Sequence, residues 1–280
     1  MTRQAPIRTR SWLFTPATRP ERFAKASQAG ADVAILDLED AVAPGDKARA
    51  RTTALDYLAE NPSDGALHAL RINGLDTRAG ISDLDALLGS RAAPDFLVLP
   101  KTETAGHLLI LDRLLTAAAK ATRLIGLIES ARGLAAVEAI ATATPRLAGL
   151  MLGAADMAAD LGATVAWEPL AFVRCRLIAA CALAGVVSVD SPYFDLHDEP
   201  GLKREVIGAV TFGFGAKAAI HPAQIGAINA ALTPSAEAVK RARAILAENT
   251  KGVGTVDGQM IDEAVARKAR RTLVSAGLEA

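Results

Sequence analysis

At 280 residues, 51% of them hydrophobic, the chain can bury a large core, as one large α/β barrel or as two smaller domains. Lysine plus arginine and aspartate plus glutamate each count 31, so the formal net charge is zero and no global field recruits nucleic acid or an anionic membrane. The opening MTRQAPIRTRSW lacks an apolar leader core, and no run of roughly eighteen apolar residues occurs, which predicts a soluble cytoplasmic protein.

Short apolar runs bounded by turn residues read as strands. In chain order they are SWLFT (11–15), VAILDL (33–38), HALRI (68–72), FLVLP (96–100), RLIGLI (123–128), LAGLML (147–152), VVSVD (186–190) and KAAI (217–220). Helical stretches separate them. TRPERFAKASQAG carries capping-box spacing at Thr18 and Glu21, with Pro20 in the first turn and Gly30 at the C-terminal cap. PGDKARARTTALDYLAEN, ETAGHLLILDRLLTAAAKAT, SARGLAAVEAIATA, PLAFVRCRLIAACALAG and PGLKREVIGAVTFG are Ala- and Leu-rich and long enough for several turns. Cys175 and Cys181 share one of these helices, too far apart along its axis for an unstrained disulfide and without metal-ligand spacing, so they read as buried thiols in a reducing compartment.

The βα rhythm, repeated eight times in about 230 residues, matches a (β/α)8 TIM barrel. An open doubly wound sheet more often carries a glycine-rich phosphate turn after its first strand, and no GxGxxG follows SWLFTP. Beyond the last unit lie SAEAVKRARAILAENT, a glycine-broken KGVGTVDGQM and the helical IDEAVARKARRTLVSA. The expected organisation is a barrel over residues 1–232 and a C-terminal helical lid over 233–280.

In such a barrel chemistry sits where the strands end. The polar residues there are Arg19; Asp37, Glu39 and Asp40; Arg71 and Asn73; Lys101; Glu129; Asp156; Asp190; and His221. Glu129 and Asp156 are one βα repeat apart, which predicts adjacent strand ends about 5 Å apart. Two such carboxylates repel unless something positive intervenes, and Mg²⁺ commonly takes one or two protein carboxylates. Gly153 and Ala154 in GAAD leave room for a ligand. The competing reading of Glu129 is a helix-dipole contact or an ion pair with Arg132.

Arg71 reads either as a bidentate clamp on a substrate carboxylate or as the counter-ion of Glu39 or Asp40. LDLEDAV has more acids than one substrate needs, so at least one is expected to be structural. Lys101 is surrounded by acids that raise its pKa, which favours an electrostatic role over a Schiff base. His221 reads as structural, because the four histidines form no cluster.

The strings RSWLFTPATRPERFAKA, ILDLEDAV, RINGLDT, LPKTE, LIESARG, GAAD, AIHPAQI and GQMID, in that order, resemble the citrate lyase beta-subunit-like proteins of the HpcH/HpaI aldolase family. The resemblance runs from residue 10 to about 265 and implies a (β/α)8 barrel, Mg²⁺ as cofactor, and cleavage or condensation of a 3-hydroxyacyl thioester. By similarity Glu129 and Asp156 are the metal ligands, and Arg71 holds the oxo acid. Asp262 in GQMID is the lid acid that serves a neighbouring subunit, which implies a homotrimer or dimer of trimers. One departure stands before that motif, where relatives often have aromatics and this chain has Val256 and Asp257.

The expected catalytic set is therefore Arg71, Asp262, Glu39 and Asp40, with Arg71, Lys101, Arg19, Gly153 and Ala154 contacting substrate. The resemblance implies a lyase that splits malyl-CoA or citramalyl-CoA into acetyl-CoA and a 2-oxo acid, whether glyoxylate, pyruvate or oxaloacetate. Alternatives are a citrate lyase beta subunit working on an acyl-carrier-protein thioester, a malyl-CoA-type thioesterase, an aldolase for free 4-hydroxy-2-oxo acids, and a CoA-ester-binding barrel without catalysis. Asp262 argues against the free-acid version, which has no thioester enolate to protonate.

Overall fold

The structure is a computed structural model that describes residues 9–60, 65–250 and 254–279. The N-terminal leader reading, over residues 1–8, and residues 251–253 of the glycine-broken segment lie outside the described residues. The strands are β1 (Ser11–Pro16), β2 (Val33–Asp37), β3 (Leu67–Arg71), β4 (Phe96–Leu99), β5 (Arg123–Ile128), β6 (Leu147–Leu152), β7 (Val187–Asp190) and β8 (Ala216–Ala219). Each pairs in parallel with the next, and β8 returns to β1, so the sheet closes into a barrel.

Helices follow the strands: α1 (Phe23–Gln28), α2 (Lys47–Ala59), α3 (Arg78–Gly89), α4 (Ala105–Ala117), α5 (Ala131–Ala135), α6 (Val137–Ala141), α7 (Ala154–Leu161), α8 (Ala171–Ala184) and α9 (Glu199–Phe212). The chain divides into two compact units, Met1–Ile228 and Asn229–Ala280, with α10 (Ile225–Ala231) at the division. The second unit holds α11 (Ala236–Asn249), a hairpin of β9 (Gly254–Val256) and β10 (Gln259–Ile261), and α12 (Glu263–Ser275), around Ala242, Ile245, Ile261, Ala269 and Leu273. No helix among the described residues is long and apolar enough to cross a membrane.

The two-residue period of a strand divides each barrel strand between two cores. Trp12, Val33, Ile35, Ala69, Phe96, Val98, Ile125, Leu127, Met151, Val189, Ala216 and Ala218 fill the interior. The alternate residues, such as Leu36, Leu70, Leu97 and Leu150, join a second cluster with helix residues such as Leu84, Leu108 and Leu177. Continuing the inward register past each strand brings Asp37 and Glu39 after β2, Arg71 at the end of β3, and Glu129 after β5 to the mouth.

Several local expectations change. Thr18 caps no helix: a 3-10 turn, Pro20–Arg22, opens at Arg19 without a side-chain cap and passes into α1. The SARGLAAVEAIATA helix breaks at Ala136 into α5 and α6. The glycine-broken segment forms the β9–β10 hairpin because Asp257 and Gly258, at φ 50° and 74°, supply the two left-handed residues of a tight turn. Cys175 is exposed; only Cys181 is buried, and burial pushes its thiol up to about 12.

Trp12 is fully buried in the barrel interior, its ring centroid 5.0 Å from that of Phe96. Trp12→Ala leaves a cavity no neighbouring side chain can fill, and chemical denaturation should show a loss of about 3–5 kcal/mol.

Candidate active site

The mouth is built on an ion pair between neighbouring strand ends. Asp37 and Arg71 are register partners on β2 and β3. Arg71 donates from Nε to Asp37 Oδ1 at 2.7 Å and from Nη2 to Oδ2 at 2.6 Å, both side chains being buried. Asp37 Oδ1 also accepts from the Glu39 N–H at 2.9 Å, which turns the chain after β2 so that Glu39 faces Arg71. Arg71 Nη1 lies 2.8 Å from Glu39 Oε2 and 3.6 Å from Asp40 Oδ2. Below the guanidinium the Phe14 ring sits 4.8 Å away. Burial works against the charge on Arg71, but Asp37, Glu39 and Asp40 together raise its pKa well above the ordinary value.

Glu39 links this pair to Lys101. Its Oε1 accepts from Lys101 Nζ at 2.7 Å, while Oε2, ion-paired to Arg71 but off the N–H direction, has no hydrogen bond. Burial raises the Glu39 pKa, with Arg71 and Lys101 opposing it. Burial likewise lowers the Lys101 pKa, but the hydrogen bond to Glu39 and the surrounding acids outweigh it and raise the value. That matches the electrostatic reading of Lys101 and opposes a Schiff base.

Glu129 is the least compensated of the buried acids. It is 4% exposed, and its Oε1 accepts the Lys101 backbone N–H at 2.7 Å. Burial, then the charge of Glu39, then that of Asp156 push it up to about 8, against the Lys101 N–H and ammonium. Lys101 takes φ 48° in presenting that N–H, a conformation uncommon outside glycine. Gly153 makes the arrangement sterically possible, because a Cβ there would run into Glu129 Oε2. The space at Gly153 is thus taken by Glu129, and Ala154 is buried at the start of α7.

Asp156 sits in the exposed first turn of α7 rather than at the tip of β6, where the helix dipole favours an acid. The charges of Glu39 and of Asp156 both bear on Glu129. Among the described residues no three His, Cys, Asp or Glu side chains converge as a complete metal cage. A buried, under-compensated acid, Glu129, on which a second acid, Asp156, bears electrostatically suits Mg²⁺, which keeps its other positions for water and substrate. The residues present fit that ion.

The competing reading of Glu129 is not taken up. Ser130 caps α5 by accepting the Gly133 N–H at 3.1 Å, and Arg132 pairs with Glu103 at 3.5 Å. Asn73 is structural: its amide donates to Asp83 Oδ2 at 2.6 Å and to the Leu38 carbonyl at 3.0 Å. His221 is structural too, accepting the Ala223 N–H in a reciprocal cap with Gln224. Asp190 points to the helix side of the barrel, where it meets Lys217 and Arg174. Arg19 is exposed at the turn after β1. Asp262 lies in the second unit, where its Oδ1 caps α12 by accepting the Val265 N–H at 2.9 Å. Phe14 was legible and missed; it is two residues past Trp12 in the inward register of β1.

The family model described as HpcH/HpaI aldolase/citrate lyase matches residues 10–222. An L-malyl-CoA/beta-methylmalyl-CoA lyase of Rhodobacter capsulatus is 37% identical, over 95% of this chain and 94% of its own length. Among solved structures, RipC from Yersinia pestis is 59% identical with a TM-score of 0.73, covering 82% of this chain and 97% of that one. CitE from Mycobacterium tuberculosis, in complex with magnesium, acetoacetate and coenzyme A, is 36% identical with a TM-score of 0.81, covering 97% and 99%. With a match that takes in every barrel strand and relatives alike over nearly their full length, the chain belongs to the HpcH/HpaI aldolase/citrate lyase family.

Proposed function

We propose that the protein is a Mg²⁺-dependent carbon–carbon lyase that cleaves or condenses a 3-hydroxyacyl-CoA of the malyl-CoA or citramalyl-CoA type, giving acetyl-CoA and a 2-oxo acid. The observation that carries this reading is the polarity of the mouth: cations held on the β3 and β4 side, and on the β5 and β6 side the buried, under-compensated Glu129, on which the charge of Asp156 also bears. Such a site can anchor a carboxylate at one end and a cation at the other. The likeness to a CitE structure holding magnesium, acetoacetate and coenzyme A supports it.

Glu129 and Asp156 would hold the Mg²⁺, which when bound supplies Lewis acidity for the oxygen that becomes the oxo group. Asp37 fixes the plane of Arg71 and occupies Nε and Nη2, so the substrate carboxylate approaches at Nη1, beside Glu39. Lys101 adds positive charge at the same edge and holds Glu39 in place. Glu39 would take the 3-hydroxyl proton, and Asp40 stands at the exposed rim. Asp262, supplied by a neighbouring subunit of a trimer, would carry the proton to the thioester enolate carbon.

Purified protein incubated with Mg²⁺, acetyl-CoA and glyoxylate or pyruvate should form the condensed CoA ester, read by mass spectrometry. Free CoA alone would mark a thioesterase, and no change with any oxo acid a binding role. Glu129→Ala, Asp156→Ala and Gly153→Ala should each lower Mg²⁺-dependent turnover at least about 100-fold. In metal-free buffer Glu129→Ala should melt no lower than the parent, because it removes a buried acid that no protein cation neutralises at hydrogen-bond distance. Full activity in either ligand variant would remove the metal site from the reading.

Asp262→Asn isolates the lid acid cleanly, since asparagine caps a helix about as well as aspartate. Its melting temperature should stay unchanged while turnover falls by roughly 10²–10⁴. Mixing it with Arg71→Ala should restore part of the activity if the acid crosses between subunits, and none if each lid serves its own barrel.

A further inference from the structure

The turn after β2 carries Glu39 to Arg71 and Lys101, and the hydrogen bonds of its backbone decide where that carboxylate points. The Glu39 N–H donates to Asp37 Oδ1 at 2.9 Å. Its carbonyl accepts from the Val42 N–H at 3.0 Å and from Lys47 Nζ at 2.9 Å. The preceding carbonyl, that of Leu38, accepts from the same Lys47 Nζ at 3.0 Å and from the Asn73 side-chain amide at 3.0 Å. Both sides of Glu39 in the chain are therefore held, one by Asp37 and the other by Lys47.

Helix α2 supplies this grip. Lys47 is its first residue and half-buried, and Arg51 stands one turn further along the same face. Arg51 Nε donates to Asp83 Oδ1 at 2.7 Å, while Asp83 Oδ2 accepts from the Asn73 N–H at 2.9 Å and from its side-chain amide at 2.6 Å. One face of α2 thus fastens the turns after β2 and β3 together. A cation in the first turn of a helix works against the helix dipole, so the stability of α2 does not account for a lysine there. What its ammonium touches does account for it: two of its three donors go to consecutive carbonyls, and hydrogen bonds from a charged donor are among the stronger ones.

We infer that Lys47 is a positioning residue for the reaction: by gripping the Leu38 and Glu39 carbonyls it sets the turn that aims the Glu39 carboxylate at Arg71 and Lys101. The inference rests on the reading of Glu39 as the group that takes the 3-hydroxyl proton. Lys47 binds backbone and acts on the chemistry only through Glu39. A displacement of about 1 Å in a reacting group can cost roughly 100-fold in rate, so a lost grip on this turn is felt in turnover.

Lys47→Met keeps an apolar stem and removes the ammonium. With Mg²⁺, acetyl-CoA and whichever oxo acid the parent protein condenses, its kcat should fall at least about tenfold while the KM for acetyl-CoA stays within about twofold. Cys175 is exposed and Cys181 buried, so in a Cys175→Ser background Lys47→Cys can be alkylated selectively. Bromoethylamine rebuilds an ammonium at lysine length and should raise turnover at least about tenfold, whereas iodoacetamide, which adds no cation, should not. Hydrogen exchange over residues 38–43 reads the placement without turnover: it should be at least about tenfold faster in Lys47→Met, with the barrel strands unchanged. Parental kcat in Lys47→Met, equal turnover after the two alkylations, or unchanged exchange of the turn would overturn the inference. A parent protein inactive with every oxo acid would sink the lyase reading alone; faster exchange in Lys47→Met would then still support its grip on the turn, and unchanged exchange would overturn it.

Discussion

Asp37 holds Arg71 through two parallel hydrogen bonds where β2 and β3 end, and the charge of every other group at the mouth is settled by what that pair leaves over. Arg71 gives two of its five N–H groups to Asp37 and meets Glu39 through the ion pair at Nη1. Lys101 completes Glu39 through Oε1. Glu129, next around the ring, receives one backbone N–H and little else. A neutral hydrogen bond contributes about 0.5–1.5 kcal/mol, whereas an unpaired buried carboxylate costs several. Compensation therefore runs out between β4 and β5, at Glu129.

Much of this was legible because strands have a period of two. Short apolar runs fixed the strands, and counting forward in steps of two from Ile35, Ala69 and Leu127 reaches Asp37, Arg71 and Glu129. Arg71 pairs first with Asp37, and which carboxylate is nearest is a matter that residue order alone does not settle. Asp156 follows from repeat spacing as a strand-tip residue, but it belongs to a helix, because β6 ends at Leu152 and Gly153, three residues before it, is the N-cap of α7. The role of Gly153 itself was hidden, since a missing Cβ signals close approach without saying of what. The hairpin was readable from Asp257-Gly258, a dipeptide suited to a two-residue turn, but the flanking strands are too short to show alternation.

A shift of one residue changes the meaning of a buried charge. Glu129 follows the inward register and meets the mouth, whereas Asp190 and Lys217 follow the outward register and meet helices. Outward charges in a layer otherwise made of leucine must be fully paired, and Lys217 has three acceptors. Inward charges at the mouth are less evenly paired: Glu129 accepts one backbone N–H. Incomplete pairing is thus the informative signal on the inward face.

Beneath the mouth the interior is filled unevenly. Trp12 and Phe96 supply bulk from β1 and β4, while β8 contributes only Ala216 and Ala218, so large side chains on one wall are matched by small ones beside them. A close-packed plug of this kind barely yields to a change in charge above it. Arg71, seated on Phe14, cannot sink away from the acids around it, and Glu129, pressed against Gly153, cannot swing out to water. The rigidity of the apolar barrel thus holds the charges at the mouth in the arrangement on which the proposed cation and anionic substrate would act.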